Sequence, residues 1–206
     1  MNSATLNAVT LALAVAARPG STTLLSPSAP PTIQLAPADG RAPAPTGEPR
    51  VESFPVRGSS IERVRATVVV GAPVERVRAV VFDFARYPEY MPRYEKAGVL
   101  RATPNGGRLV HMELGGVVHL WMRVEIAPPV TTGRTEAYEG RLVQGNVKYF
   151  TPRWEIEPLD EGRTRLVVES FMDPDLPFVP SSFVNKGARE GVRDAIVALK
   201  SRIERR

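Results

Sequence analysis

The sequence predicts an α+β domain in which an antiparallel sheet is covered by a single long C-terminal helix. Three observations predict it. Between Val99 and Met172, runs of alternating apolar and polar residues recur, separated by glycine-rich turns. Between Gly71 and Pro92, proline-opened segments keep short helical spacing. From Ser181 onward, an apolar stripe at intervals of three and four continues to Ile203. A chain of 206 residues holds one such domain of ordinary size plus an appendage.

The elements follow in order. Ile61 to Val70 alternates Ile61, Val64, Ala66 and Val68 with charged neighbours and reads as a strand, broken at Gly71. Pro73 then sits in the first turn of a helix, where its missing N–H costs nothing, and Glu75 suits the helix dipole. Val74, Val77, Val81 and Phe84 keep helical spacing. Tyr87 to Pro92 holds two prolines four apart, which allows only a short turn. Val99 to Thr103 leads into the turn Pro104-Asn105-Gly106-Gly107. Arg108 to Leu114 and Val117 to Ile126 read as a hairpin centred on Gly115, pairing residue 110 with 120 and 112 with 118. Val110, Met112 and Leu114 share a face with Val118, Leu120, Met122, Val124 and Ile126. Further strands are expected near 134–139, 142–150, 153–159 and 164–172, about six antiparallel strands in the run. Ser181 or Ser182 is the expected cap of the final helix. Its stripe is Phe183, Val184, Ala188, Val192, Ala195, Ile196, Leu199 and Ile203. Gly187 and Gly191, one turn apart in it, ask for a close approach of ligand or sheet, or for tight packing.

Composition narrows the chemistry. The chain has no cysteine, which removes disulfides, thiolate metal sites and cysteine nucleophiles. His111 and His119 are its only histidines. The net charge of +5 is a mild excess rather than a concentrated basic patch, so no nucleic-acid partner is expected. Residues 18–58 are rich in Pro, Ala, Ser and Thr and read as a disordered linker, with the folded domain at 59–206. Ahead of it, Ala8 to Ala17 is an apolar run too short to span a bilayer. It suits a signal-peptide core, but no basic residue precedes it, so residues 1–17 read either as a signal peptide or as a disordered start. An exported or periplasmic location and a cytoplasmic one both stay open.

Three segments carry a resemblance. Phe82-Asp83-Phe84-Ala85-Arg86-Tyr87-Pro88-Glu89-Tyr90-Met91-Pro92 resembles a signature of the coenzyme Q-binding and polyketide cyclase branch of the START-like (SRPBCC) superfamily. Arg153 to Pro158 with Gly162 to Leu166 resembles that family's penultimate hairpin, and Asp173-Pro174 with Leu176 to Pro180 resembles its lead into the last helix. The likeness spans roughly residues 60 to 205. It implies the helix-grip fold, a curved antiparallel sheet wrapped around the C-terminal helix with an apolar cavity between them. It also implies a hydrophobic small-molecule partner: a lipid, an isoprenoid quinone or a polyketide-like compound, held for carriage or presentation.

On that reading the cavity and its gate draw on Tyr90, Met91, Met112, Leu120, Met122, Val124, Tyr149, Trp154, Ile156, Val168, Phe178, Phe183, Val184 and Ala188. Plain core packing is the competing account of each. Tyr87 to Tyr94 and Leu176 to Phe183 are the two candidate gates, with static stapling as the alternative. Arg123, Glu125, Glu155, Glu157, Arg165 and Glu169 fall on the opposite, solvent face. In the expected register His111 and His119 oppose one another there, with Glu113 nearby; an exposed pair is expected, and no metal or other cofactor. No nucleophile elbow, zinc-protease motif, phosphate loop or dinucleotide fingerprint is present, so no catalytic residue is assigned. A polyketide cyclase or aromatase using the same cavity would need inward polar groups, with Ser170, Tyr149, Gln144 or arginines turned inward as the candidates. A third reading is an interaction module, its basic C-terminal helix touching anionic lipid at a membrane surface or RNA, with a solvated charged face as the alternative.

Overall fold

The structure, a computed structural model, describes residues 47–116, 118–176 and 178–205. The readings placed on residues 1–17 and on the linker up to residue 46 lie outside the described residues. Nine strands form one antiparallel sheet in the order β1-β2-β9-β8-β7-β5-β4-β3, with β6 paired to β7. The strands are β1 (Arg50–Phe54), β2 (Arg63–Val70), β3 (Tyr94–Ala102), β4 (Arg108–Leu114), β5 (Leu120–Ile126), β6 (Val130–Thr132), β7 (Thr135–Gly145), β8 (Tyr149–Pro158) and β9 (Thr164–Asp173). Helices α1 (Val74–Val81) and α2 (Tyr87–Tyr90) fall between β2 and β3, and α3 (Ser181–Glu204) ends the chain.

Strand β1 lies in the segment expected to be linker. Val51 pairs with Ala66 and Glu52 with Arg65, so the sheet begins at Arg50, nine residues before Ser59. Proline on both sides of a five-residue strand masks its alternation, and an edge strand tolerates such neighbours.

The β4–β5 hairpin differs from expectation in register. Val110 pairs with Val124, Met112 with Met122 and Leu114 with Leu120, leaving residues 115–119 as the loop. His111 therefore opposes Arg123, while His119 and the exposed Val118 belong to the loop. The same apolar face is buried in either register, because the shift preserves the period of two.

The expected strands 134–139 and 142–150 are one strand, β7, followed by a short turn into β8. β7 changes partner along its length. Residues 136–139 pair with β8, and 140–145 pair with β5. At the change, Gly140 lies so close to Pro152 that an added Cβ would stand 2.6 Å from the proline ring. Pro152 has no N–H to offer and sits where β8 has parted from β7.

Helix α3 packs chiefly on β2, β1, β9 and α1. Its N-cap is Pro180, with no side-chain cap from either serine. Asn185 pins it instead: the Asn185 Oδ1 accepts from the Glu62 N–H at 3.0 Å, and its Nδ2 donates to the Ser60 carbonyl at 3.1 Å. Around this anchor Val192, Ile196, Leu199 and Ile203 are buried. No helix among the described residues is long and apolar enough to cross a membrane.

Candidate ligand-binding site

Period-two alternation sets the concave face of the sheet. β2 contributes Val64, Ala66, Val68 and Val70; β4 and β5 contribute Val110, Met112, Met122, Val124 and Ile126; β8 and β9 contribute Trp154, Ile156, Leu166 and Val168. All are buried, and together with α1 and the C-terminal half of α3 they form a packed core. Met112, Met122, Val124, Trp154, Ile156 and Val168, expected on a cavity wall, belong to this packed region, and so does Met91.

The same face is less complete toward the other end of the strands. Leu114 and Leu120 on the β4–β5 hairpin, Leu142 on β7, Phe150 on β8 and Met172 on β9 face inward in register with core residues, yet stay half-buried. Tyr90 and Tyr94 flank them. On the N-terminal half of α3, Val184, Ala188 and Gly191 are half-exposed. By helical spacing residues 184, 188, 195 and 202 fall on one side of α3; at its C-terminal end Arg202 lies over the Tyr90 ring, 5.4 Å from its centroid, about 27 Å along the helix axis from Val184. A Cβ added at Gly187 or Gly191 would meet nothing within 4 Å. Neither glycine is explained by close approach of the sheet or by tight packing among the described residues; both leave room beside the helix. The result is an apolar concavity, dense at its base and open at its rim. Of the expected site residues, Tyr90, Leu120, Val184 and Ala188 stay half-buried: Leu120 belongs to the inward row, Tyr90 packs at the C-terminal end of α3, and Val184 and Ala188 lie at its N-terminal end.

Others go elsewhere. Tyr149 lies on the convex face, where it stacks on Phe171 with ring centroids 6.5 Å apart. Phe178 is 96% exposed and Phe183 68% exposed, so neither lines the interior in this conformation. The sequence reading places Leu114 on the inward face and Tyr94 at the end of a candidate gate without assigning either to the site, and it does not single out Leu142, Phe150 or Met172. Alternation carried the signal for most of them, since each keeps step with a core residue on its own strand.

One candidate gate is tied down. Phe82, Phe84, Tyr87, Tyr90 and Tyr94 form a chain of aromatic contacts, with Trp154 and Tyr138 against its beginning. The Tyr87 hydroxyl donates to the Val81 carbonyl at 2.5 Å, and that of Tyr90 to the Val80 carbonyl at 3.3 Å. Burial pushes the phenols of Tyr87 and Tyr90 well above their ordinary value, and that of Tyr94 up to about 12. The aromatic side chains of this segment form a wall that is neutral at physiological pH.

The convex face is electrostatically matched. Arg141 meets Glu125, Arg165 meets Glu157, and Arg153 meets both Glu139 and Glu155. Glu169 is not in solvent as expected; it is buried beneath Arg63 and Arg65. Two surface depressions lie away from the concavity. One of about 610 Å³ runs between Gly47–Val51 and the outer side of α3 at Arg193 and Lys200. The other, about 350 Å³, lies over Phe82 between Arg78 and Arg108.

Comparison with known proteins agrees with this architecture. No curated protein matches the chain. Among solved structures, the STAR-related lipid transfer protein from Xanthomonas axonopodis superposes with a TM-score of 0.67 at 16% identity, covering 80% of this chain and 97% of its own. A START superfamily protein from Mycobacterium smegmatis gives 0.60 at 26% identity, over 69% of this chain and 97% of its own. The Zhui aromatase/cyclase from Streptomyces sp. R1128 gives 0.50 at 21% identity, over 70% and 94%. Residues 62–204 match the sequence model of the family described as polyketide cyclase / dehydrase and lipid transport. With that match over most of its length, on a curved antiparallel sheet gripping a long last helix, the chain belongs to this START-like family.

Proposed function

We propose that the protein binds a hydrophobic small molecule, a lipid or an isoprenoid quinone, in the open apolar concavity, for carriage or presentation and without catalysis. The half-buried inward row of Leu114, Leu120, Leu142, Phe150 and Met172 supports this most directly. A sheet that needed only a filled core would bury these side chains as it buries Met112 and Met122. Each such side chain, covered by a guest, contributes up to about 2 kcal/mol of apolar transfer. The family's lipid-transport members and the lipid-transfer neighbour point the same way. Of the polar groups a cyclase would require, Tyr149 and Gln144 face outward, Gln144 accepting from Arg123; Ser170 remains on the inner face beside Val64. That distribution favours a binder.

Native mass spectrometry of the full chain, purified from its source organism, tests the reading. A stoichiometric apolar adduct, identified after organic extraction, is the expected result. A bare mass, with no rise in melting temperature on adding ubiquinone or phospholipid, would overturn it.

The exposed Phe178 and Phe183, at the start of α3 beside the concavity, are the residues proposed to enter a lipid surface when the guest is exchanged. The basic face of α3 supports this less, because Arg189, Lys186, Lys200 and Arg202 are matched by Glu62, Glu190, Glu204 and Glu89. The double variant Phe178→Ser/Phe183→Ser is expected to lose co-sedimentation with phosphatidylcholine vesicles while keeping its melting temperature. Unchanged sedimentation would remove the lipid-surface role.

A further inference from the structure

We propose that Glu95, Glu113 and His119 form a site for a borderline divalent metal ion of the zinc class, on the outer face of the β3–β4–β5 edge. In the observed register His111 opposes Arg123 and its Nε2 is turned to Glu113 Oε1, so the third donor comes from the tertiary fold, as Glu95 from β3. One ligand atom from each residue lies within 4.8 Å of the other two. His119 Nε2 stands 3.5 Å from Glu113 Oε2 and 3.6 Å from Glu95 Oε2. These separations are long for hydrogen bonds. They are close to the edge of about 3.3 Å that a tetrahedron acquires when metal–ligand bonds are about 2.0–2.1 Å.

Two further features prepare the site. His111 Nε2 lies 2.9 Å from Glu113 Oε1, which orients the carboxylate and leaves Oε2 for the ion. Gly115 lies directly against the Glu95 carboxylate, in a space that any Cβ would fill. Lys96 Nζ is also 3.2 Å from Glu113 Oε2. Its ammonium is largely in solvent and supplies the counter-charge that an arriving cation replaces.

A donor set of one imidazole and two carboxylates suits zinc, cobalt or nickel better than magnesium or calcium, which take oxygen ligands. Three protein ligands leave a fourth position open to water. The location has a consequence for the concavity. Glu95, Glu113 and His119 are the chain neighbours of Tyr94, Leu114 and Leu120, whose side chains reach its rim. An ion on the outer face would clip the two strands and the hairpin loop that carry this part of the rim.

The full chain, freed of metal by a chelator, is titrated with zinc by calorimetry and with cobalt by visible absorption. The expected result is one saturable equivalent of zinc and the absorption of four-coordinate cobalt, with no uptake of magnesium. Glu95→Gln, Glu113→Gln and His119→Gln each weaken zinc binding by about tenfold or more, His111→Gln weakens it about tenfold, Gly115→Ala weakens it by displacing Glu95, and Lys96→Ala tightens it. Circular dichroism verifies that each variant is folded. The chain has no cysteine, and among the described residues Glu95, Glu113 and His119 are the one group of three imidazole or carboxylate donors close enough to share an ion. Zinc uptake unchanged in folded His119→Gln, uptake without saturation, or weaker binding in Lys96→Ala would overturn the proposal.

Discussion

Gly140 shows how one missing side chain shapes the sheet. Its Cβ position is occupied by the Pro152 ring and, at 3.0 Å, by a methyl of Val124. Gly140→Val therefore forces strands apart in a packed region, and a loss of about 1–3 kcal/mol is expected in urea denaturation. Stability within error of the parent would show that β7 can shift without cost. The alternating strand pattern made most inward residues legible, but single aromatics resisted it. Tyr149 has odd parity relative to Trp154 and Ile156 and so belongs outside, not on the cavity wall where the resemblance places it. Glu95 was illegible as a partner of His119 because the two meet only through the pairing of β3 with β4.

At the level of elements, α3 depends on one buried amide. Asn185 satisfies both the Glu62 N–H and the Ser60 carbonyl, so Asn185→Ala leaves two backbone groups without that partner. A cost of about 1–3 kcal/mol follows. Hydrogen exchange should accelerate first in the N-terminal half of α3, where packing is lightest; uniform acceleration along the helix would contradict an anchoring role. The stripe that predicts this helix is a local property of the sequence. The emptiness beside Gly187 and Gly191 is not, because it depends on which strands lie opposite. The β4–β5 register illustrates the same limit. Both pairings of the hairpin bury the same face, so hydrophobic pattern does not distinguish them, and the conspicuous Gly115-Gly116 pair drew the turn too early.

Across the whole molecule, burial and pairing predict opposite failures at the two ends of the pH scale. Tyr87, Tyr90, Tyr94 and Tyr138 have phenols raised above the ordinary value near 10, chiefly by burial. Their neutral forms are favoured in the folded state, so this contribution is fully present below pH 10 and is lost as pH rises through the raised values. Urea midpoints should hold to about pH 10 and then fall, and Tyr94→Phe should soften that decline. At the acid end, Arg78 grips both oxygens of Glu136, at 3.0 and 2.5 Å, and Tyr138 donates to it at 2.8 Å. These bonds hold the Glu136 carboxyl below its usual range. Their contribution is present above about pH 4.3 and is lost as pH falls through the depressed value; Glu136→Gln should flatten that limb. An equally steep acid limb in Glu136→Gln would assign acid sensitivity to other carboxylates.

The sequence by itself determined the fold class, the strand faces and the last helix, because alternation and helical periodicity are properties of neighbouring residues. It also carried the family signature in three short segments. The tertiary structure alone decided the partner exchange of β7, the burial of Glu169 beneath two arginines, and the meeting of Glu95 with His119. It also decided which inward residues fill the core and which remain open at the rim. The reason is the same in each case: parity assigns a side chain to a face, but only the pairing of distant strands and the reach of α3 set what covers it.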